Sequence, residues 1–171
     1  DDLVRSVSLL REAERLAMKG GAGAPDSSLA AEARYQRAEL RYAAGNIDDA
    51  REIHETLIAS FPSTSFAVRA RYRLGIIALE AGDTETARDL FGQCLAGESG
   101  GQVRLAASAG IMECHVVDSE WEKVIDAARD VLRESDPNSA YTPRVLEAIA
   151  NAWRELGSDE NASWYLDRLV T

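Results

Sequence analysis

Residues 45–50 read Gly45-Asn46-Ile47-Asp48-Asp49-Ala50, and 37 residues further on the chain reads Gly82-Asp83-Thr84-Glu85-Thr86-Ala87. The figure returns as Ser119-Glu120-Trp121-Glu122-Lys123-Val124 after another 37 residues, and as Gly157-Ser158-Asp159-Glu160-Asn161-Ala162 after 38. The breaks at Gly45-Asn46, Gly82-Asp83, Asp118-Ser119 and Gly157-Ser158 each pair a helix-ending residue with a polar residue suited to start the next helix. Five residues after each break stands a small or slim residue: Ala50, Ala87, Val124 or Ala162. Seven residues before it stands another, Ala38, Gly75, Met112 or Ala150. Helices approach closely only where side chains are small, so fixed small positions at one period predict stacked antiparallel helix pairs. Met112 is the large exception, and the third pair is expected to pack less tightly.

Outward from these breaks, the long stretches are rich in Ala, Glu, Arg and Leu, with apolar residues at three- and four-residue spacing, the mark of amphipathic helices. Pro25, Pro62, Pro137 and Pro143 fall between those stretches, and no alternating β-branched run predicts a strand. The expected fold class is therefore all-α. Composition narrows the function. Of 171 residues, 29 are acidic and 19 basic, a formal net charge of −10, which argues against a phosphate-backbone binder. A hydrophobic fraction of 46% is too high for a disordered acidic tail. No apolar run approaches the length of a membrane span. Two cysteines cannot build a disulfide scaffold, although Cys94 and Cys114 could pair if they prove close.

Ala31-Glu32-Ala33-Arg34-Tyr35 leading to Gly45-Asn46 and Ala50 and ending at Pro62 resembles a tetratricopeptide repeat. So does Arg71-Tyr72-Arg73-Leu74-Gly75 followed by Gly82-Asp83, Ala87 and Phe91. The third repeat departs, with Met112 for the small residue and Ser119 for the turn glycine, while the fourth keeps Ala150, Gly157, Ala162 and Leu166. The resemblance implies a right-handed α-solenoid of four helix pairs, about 28–64, 65–101, 102–138 and 139–171, within a repeat domain spanning 25–171. Residues 1–24 are expected to form an additional helix, apolar along Leu3, Val7, Leu10, Ala13, Leu16 and Ala17, and a glycine-rich linker. Ala13 lies 37 residues before Ala50, so this helix could be the second half of an earlier repeat. A start at Asp1 without Met is expected of a fragment or a processed form.

The period exceeds the usual repeat length of about 34 by three or four residues. The surplus is expected to lengthen the first helix of the next pair by almost one turn. Long repeats with Phe61-Pro62-Ser63-Thr64, Ala67, Ala70-Arg71-Tyr72 and Leu74-Gly75 are similar to bacterial envelope proteins, the Tol–Pal coordinator and the barrel-assembly lipoprotein among them. That similarity implies a periplasmic or cell-envelope setting, with the cytoplasm as the alternative.

The resemblance also implies that the first helices line a concave groove, through the second, fifth, ninth and twelfth positions of each repeat. In this chain those are Glu32, Tyr35, Glu39 and Tyr42, then Arg69, Tyr72, Ile76 and Leu79. The third repeat supplies Ala106, Ala109, Glu113 and Val116, and the fourth Arg144, Glu147, Asn151 and Arg154. Tyr35 and Tyr72 could instead pack sideways against the adjacent repeat. The groove runs from acidic and aromatic, through apolar, to mixed charge, which suits an extended peptide or amphipathic helix with both basic and apolar residues.

Nothing in the sequence points to catalysis. The nucleophile elbow, the phosphate-cradling glycine loop and the zinc-helix motif are all missing, and no cofactor is implied. His54 and Cys94 fall at positions expected to be core. The adjacent Cys114 and His115 diverge on one helix and cannot readily share a metal. Residues 98–171 hold fourteen acids and seven bases, so most of the negative charge gathers there, either for solubility or to steer a basic partner. The function expected is a non-catalytic protein–protein interaction module, with no nucleic-acid partner and no membrane insertion. The alternatives are a self-associating envelope scaffold, in which the N-terminal helix docks into another copy, and a regulatory segment of a larger enzyme.

Overall fold

The computed structural model describes residues 2–19, 27–96, 101–136, 139 and 141–170, the side chain of residue 170 excepted. The linker expected at Gly20–Pro25, the Glu98-Ser99-Gly100 stretch and Pro137 lie outside the described residues. Among the described residues are nine helices and no strand: α1 (Asp2–Lys19), α2 (Ser27–Ala43), α3 (Ile47–Ser60), α4 (Ser65–Glu80), α5 (Thr84–Ala96), α6 (Gly101–Val117), α7 (Trp121–Glu134), α8 (Tyr141–Glu155) and α9 (Asp159–Val170). The first helices of the pairs, α2, α4, α6 and α8, have 15 to 17 residues, and the second helices 12 to 14. The surplus residues at 65–67 and 102–104 lie inside α4 and α6, whereas Ser139 precedes α8. The chain divides into two compact units, residues 1–77 and 78–171, with the division falling inside α4.

The four turns within pairs are built alike. Gly45, Gly82 and Gly157 take φ near +78°, and Ser119 takes +57°. In each turn that residue donates its N–H to the carbonyl three residues back, while the next residue donates to the carbonyl five back. Gly45 to Tyr42 and Asn46 to Arg41, both 2.9 Å, set the pattern, and Ser119 to Val116 with Glu120 to His115 repeats it. This Schellman arrangement satisfies carbonyls that the helix end leaves open. The third turn differs from expectation by one residue: Ser119 is the left-handed residue, and Glu120, not Ser119, is the N-cap of α7. Side chains brace that turn from both sides. Asp118 accepts hydrogen bonds from Thr84 Oγ1 at 2.9 Å and Arg88 Nη1 at 2.6 Å. Glu120 lies 2.6 Å from both Lys123 Nζ and His115 Nδ1, and those two contacts hold its carboxyl down at about 2.

In the first unit the core joins Ala17, Ala30, Ala31, Leu57, Phe61, Ala67 and Ala70. Phe61 ends α3 and Thr64 restarts the chain, its hydroxyl accepting the Ala67 N–H at 3.3 Å. The α1 helix is fixed to α2 by Glu14, which takes Arg34 Nε and Arg37 Nη1 at 2.7 Å each. Arg34 continues to Thr56 O and Ser60 Oγ on α3 and lies over the Phe61 ring. Of the apolar side expected for α1, Val7 and Ala17 are buried, but Leu16 is 56% exposed. The ionic cluster, not that leucine, anchors the helix.

In the second unit the core gathers Met112, Val124, Ile125, Ala128, Val131, Val145 and Ile149, among others. Met112 is fully buried within this core. A close approach occurs at Gly110, where an added Cβ would lie 2.6 Å from the Phe91 ring. Phe91 itself is fully buried on α5.

Candidate protein-binding site

In the first unit, the expected groove positions on α2 split into two kinds. Glu32 is exposed. Tyr35 packs sideways, its ring 5.4 Å from His54 on α3 and 5.8 Å from Phe66 on α4. Burial, and the Glu39 charge after it, push the Tyr35 hydroxyl up. Glu39 and Tyr42 meet Arg73 from α4. Arg73 donates Nε to Glu39 Oε1 at 2.9 Å and Nη2 to Oε2 at 2.5 Å, and its guanidinium lies 4.8 Å over the Tyr42 ring. His54 Nε2 stands behind the carboxylate at 3.3 Å from Oε1, the imidazole being fully buried. Burial pushes the Glu39 carboxyl up, but His54 and Arg73 together outweigh it and hold the carboxyl below its usual range. On α4, Arg69 is exposed and lies over Phe66, while Tyr72 and Ile76 are half-buried.

In the second unit, Leu79 is half-buried at the end of α4. Four expected site residues come together further on. Glu113 of α6 with Arg144, Glu147 and Asn151 of α8 line a cleft of about 190 Å3, whose remaining walls are Val116, Trp121 and Ala148. Arg144 Nε lies 2.9 Å from Glu113 Oε1, with the arginine side chain 68% exposed and the glutamate 24%. Asn151 also accepts a hydrogen bond from Arg154 Nη1 at 3.2 Å, and Arg154 does not itself line the cleft. Ala106 and Ala109 were expected in the groove but are buried, because α6 turns its alanine side to the core. Trp121 is the wall that the sequence reading missed. It begins α7, a second helix, and only its place two residues after the turn could have signalled it.

A larger trough of about 660 Å3 lies between α7, α8 and α9, lined by Leu132, Leu146, Trp164, Tyr165 and Arg168 among others. Trp164 and Tyr165 stack edge to face at 4.7 Å, and Arg168 lies over the indole. The remaining soft side chains are set for packing. Cys94 and Cys114 are fully buried thiols that form no disulfide, and burial pushes the Cys114 thiol up to about 11. A thiol so placed is not a nucleophile at neutral pH. Among the described residues, no three His, Cys, Asp or Glu side chains are grouped to hold a metal ion. Nor, among them, is any helix long and apolar enough to cross a membrane.

The tetratricopeptide-repeat family model matches residues 32–64 and 69–96. No curated protein sequence matches the chain. Among solved structures, MamA aligns with a TM-score of 0.74 at 16% identity, covering 99% of this chain and 87% of MamA. MamA from Desulfovibrio magneticus RS-1 aligns at 0.68 and 14% identity, covering 96% and 93%. The nearly identical tetratricopeptide-like repeats of a kinesin light chain from Podosopora anserina align at 0.69 and 15% identity, covering 98% and 85%. At such identities the likeness shows the fold, an all-α helical-repeat solenoid.

Proposed function

We propose that the chain, which the tetratricopeptide-repeat family model matches over residues 32–64 and 69–96, is a protein–protein interaction module that binds without catalysing. The outward face of its first helices holds a peptide, or a segment of a partner subunit, that carries basic and apolar side chains together. The observation that carries this reading is the cleft in the second unit, which Glu113, paired with Arg144, and Glu147 line together with Val116, Trp121 and Ala148. Its apolar lining takes a side chain out of water at about 25 cal/mol per Å2 of apolar surface. The carboxylates select a cation beside it and disfavour an acidic segment. Trp121 supplies the rigid apolar wall that binding sites favour. Asn151 offers an amide to a peptide backbone.

The test is capture of partners on the immobilised full chain, comparing wild type with Glu147→Lys. Glu147 is exposed, so its replacement leaves the fold in place. The reading expects the proteins retained by wild type to be lost from the variant, with no change in melting temperature. Retention of the same proteins by both would remove the cleft from the account.

One observation favours a second reading, self-association through α1. That helix keeps Val4, Leu9, Leu16 and Met18 between 46% and 72% exposed. Light scattering at high concentration tests it, since a strict monomer rules out the scaffold.

A further inference from the structure

A related pairing occurs in both units. Glu39 and Glu113 are 74 residues apart, two full periods, and so occupy the same position on α2 and α6. Each is ion-paired with an arginine from the first helix of the following pair, Arg73 with Glu39 and, one helical turn earlier in its repeat, Arg144 with Glu113. We propose that these two glutamates are acceptor sites for a partner's arginine, each shielded in the unbound chain by an internal arginine that stands in for it.

The chemistry of the first site is that of a guanidinium receptor. The carboxylate takes two parallel hydrogen bonds, the geometry that selects the planar fork of arginine over the point charge of lysine. The Tyr42 ring lies against the face of the same group, adding a cation–π contact. The fully buried His54 also stands 3.3 Å from the carboxylate, a contact independent of the arginine. Removing Arg73 therefore leaves the carboxylate beside the imidazole and the Tyr42 ring.

Exposure separates these pairs from the structural one. Glu14 and its arginines are 12% to 16% exposed, and Arg34 is fastened further to Thr56 and Ser60. Arg73 and Glu39 keep 25% and 24% of their side chains exposed, and Arg144 keeps 68%. A partner's guanidinium can reach these carboxylates from solvent, while the Glu14 pair is enclosed. The internal arginine sits at high effective concentration, so a partner must displace it, and weak basic ligands are turned away.

This inference rests on the partner-binding reading above, but its test needs no partner. The full chain is titrated with ethylguanidinium and with ethylammonium as probes, following the Trp121 indole N–H and the tyrosine ring resonances by NMR. In Arg144→Ala, ethylguanidinium should shift Trp121 saturably, with half-saturation near about 10 mM, a strength set by one charge-assisted pair. Ethylammonium should bind at least about threefold more weakly. Adding Glu113→Gln should abolish the response, and wild type should show none in the same range. Arg73→Met repeats the experiment at Glu39, with the methionine filling the stem of the lost side chain. Because Arg144 is largely exposed, its variant keeps the test open if the Arg73 variant does not fold. Equal responses to the two cations, an equal response in wild type, or a response that survives Glu113→Gln would overturn the proposal. Any of those results leaves the capture experiment with Glu147→Lys to decide the partner-binding reading separately.

Discussion

The ring of Phe91 on α5 occupies the space that a side chain at residue 110 on α6 would need, three of its carbons lying 2.6 to 2.9 Å from where that Cβ would stand. Phe91 is fully buried, so the ring cannot step aside without disturbing the core. Gly110→Ala gains about 1 kcal/mol of helix propensity but overpacks this contact at a larger cost. We expect a net loss of about 2 kcal/mol in urea unfolding. Phe91→Leu in the same chain should restore part of it, because the two changes share one contact. A neutral or stabilised Gly110→Ala variant would show that α5 and α6 do not meet this closely.

Ser119 holds a left-handed backbone at φ +57° in a turn whose three counterparts are glycine. An L side chain there costs about 1–2 kcal/mol, and glycine returns part of that gain through its freer unfolded chain. Ser119→Gly should therefore raise stability by about 0.5–1 kcal/mol, seen as a higher melting temperature. Ser119→Ala should change little. A loss of stability in the glycine variant would mean that the serine side chain itself holds the turn.

These two positions mark how far the sequence could be read. The period, the turns and the helix pairs follow from local chemistry: a left-handed residue at a fixed spacing and apolar residues at helical spacing. That is why Ser119 could be matched to the glycines although its type differs. Gly110 went unread because its neighbour, Phe91, lies 19 positions earlier, and nothing in a one-dimensional pattern joins them. The proposed binding surface divides along the same line. Glu113, Arg144, Glu147 and Asn151 share a face by periodicity and do line one cleft. The pairing of Arg73 with Glu39, the burial of Ala106 and Ala109, and the Trp121 wall depend on how helices pack, which the repeat pattern does not encode.

Acid stability depends on the third turn. Glu120 is held at about 2 by Lys123 and His115, against 4.5 for an unperturbed glutamate. A carboxyl lowered on folding contributes stability above its unfolded value, and that contribution is lost as pH falls through the folded one. Stability should drop between pH 4.5 and about 2, with Glu39, also lowered, acting in the same direction. Urea unfolding of Glu120→Gln across this window should show a shallower fall than wild type. Parallel curves would remove Glu120 from the acid response.

Charge should govern the rate of encounter with a basic partner. Residues 98–171 carry fourteen acids and seven bases, an excess that a cationic segment meets before contact. Raising ionic strength from about 0.03 to 0.5 M shortens the Debye length severalfold and should slow association by about tenfold. Dissociation should change less. Stopped-flow association that is indifferent to salt would assign the acidity to solubility.

The central claim is that the outward face of the first helices binds segments combining basic and apolar residues. Selection from a random displayed-peptide library on the immobilised full chain measures that preference without any prior partner. The account predicts enrichment of arginine or lysine next to an aromatic or aliphatic residue, and loss of the selected binders on Glu147→Lys. Enrichment of acidic peptides, or binders that the Glu147→Lys chain retains, would contradict it.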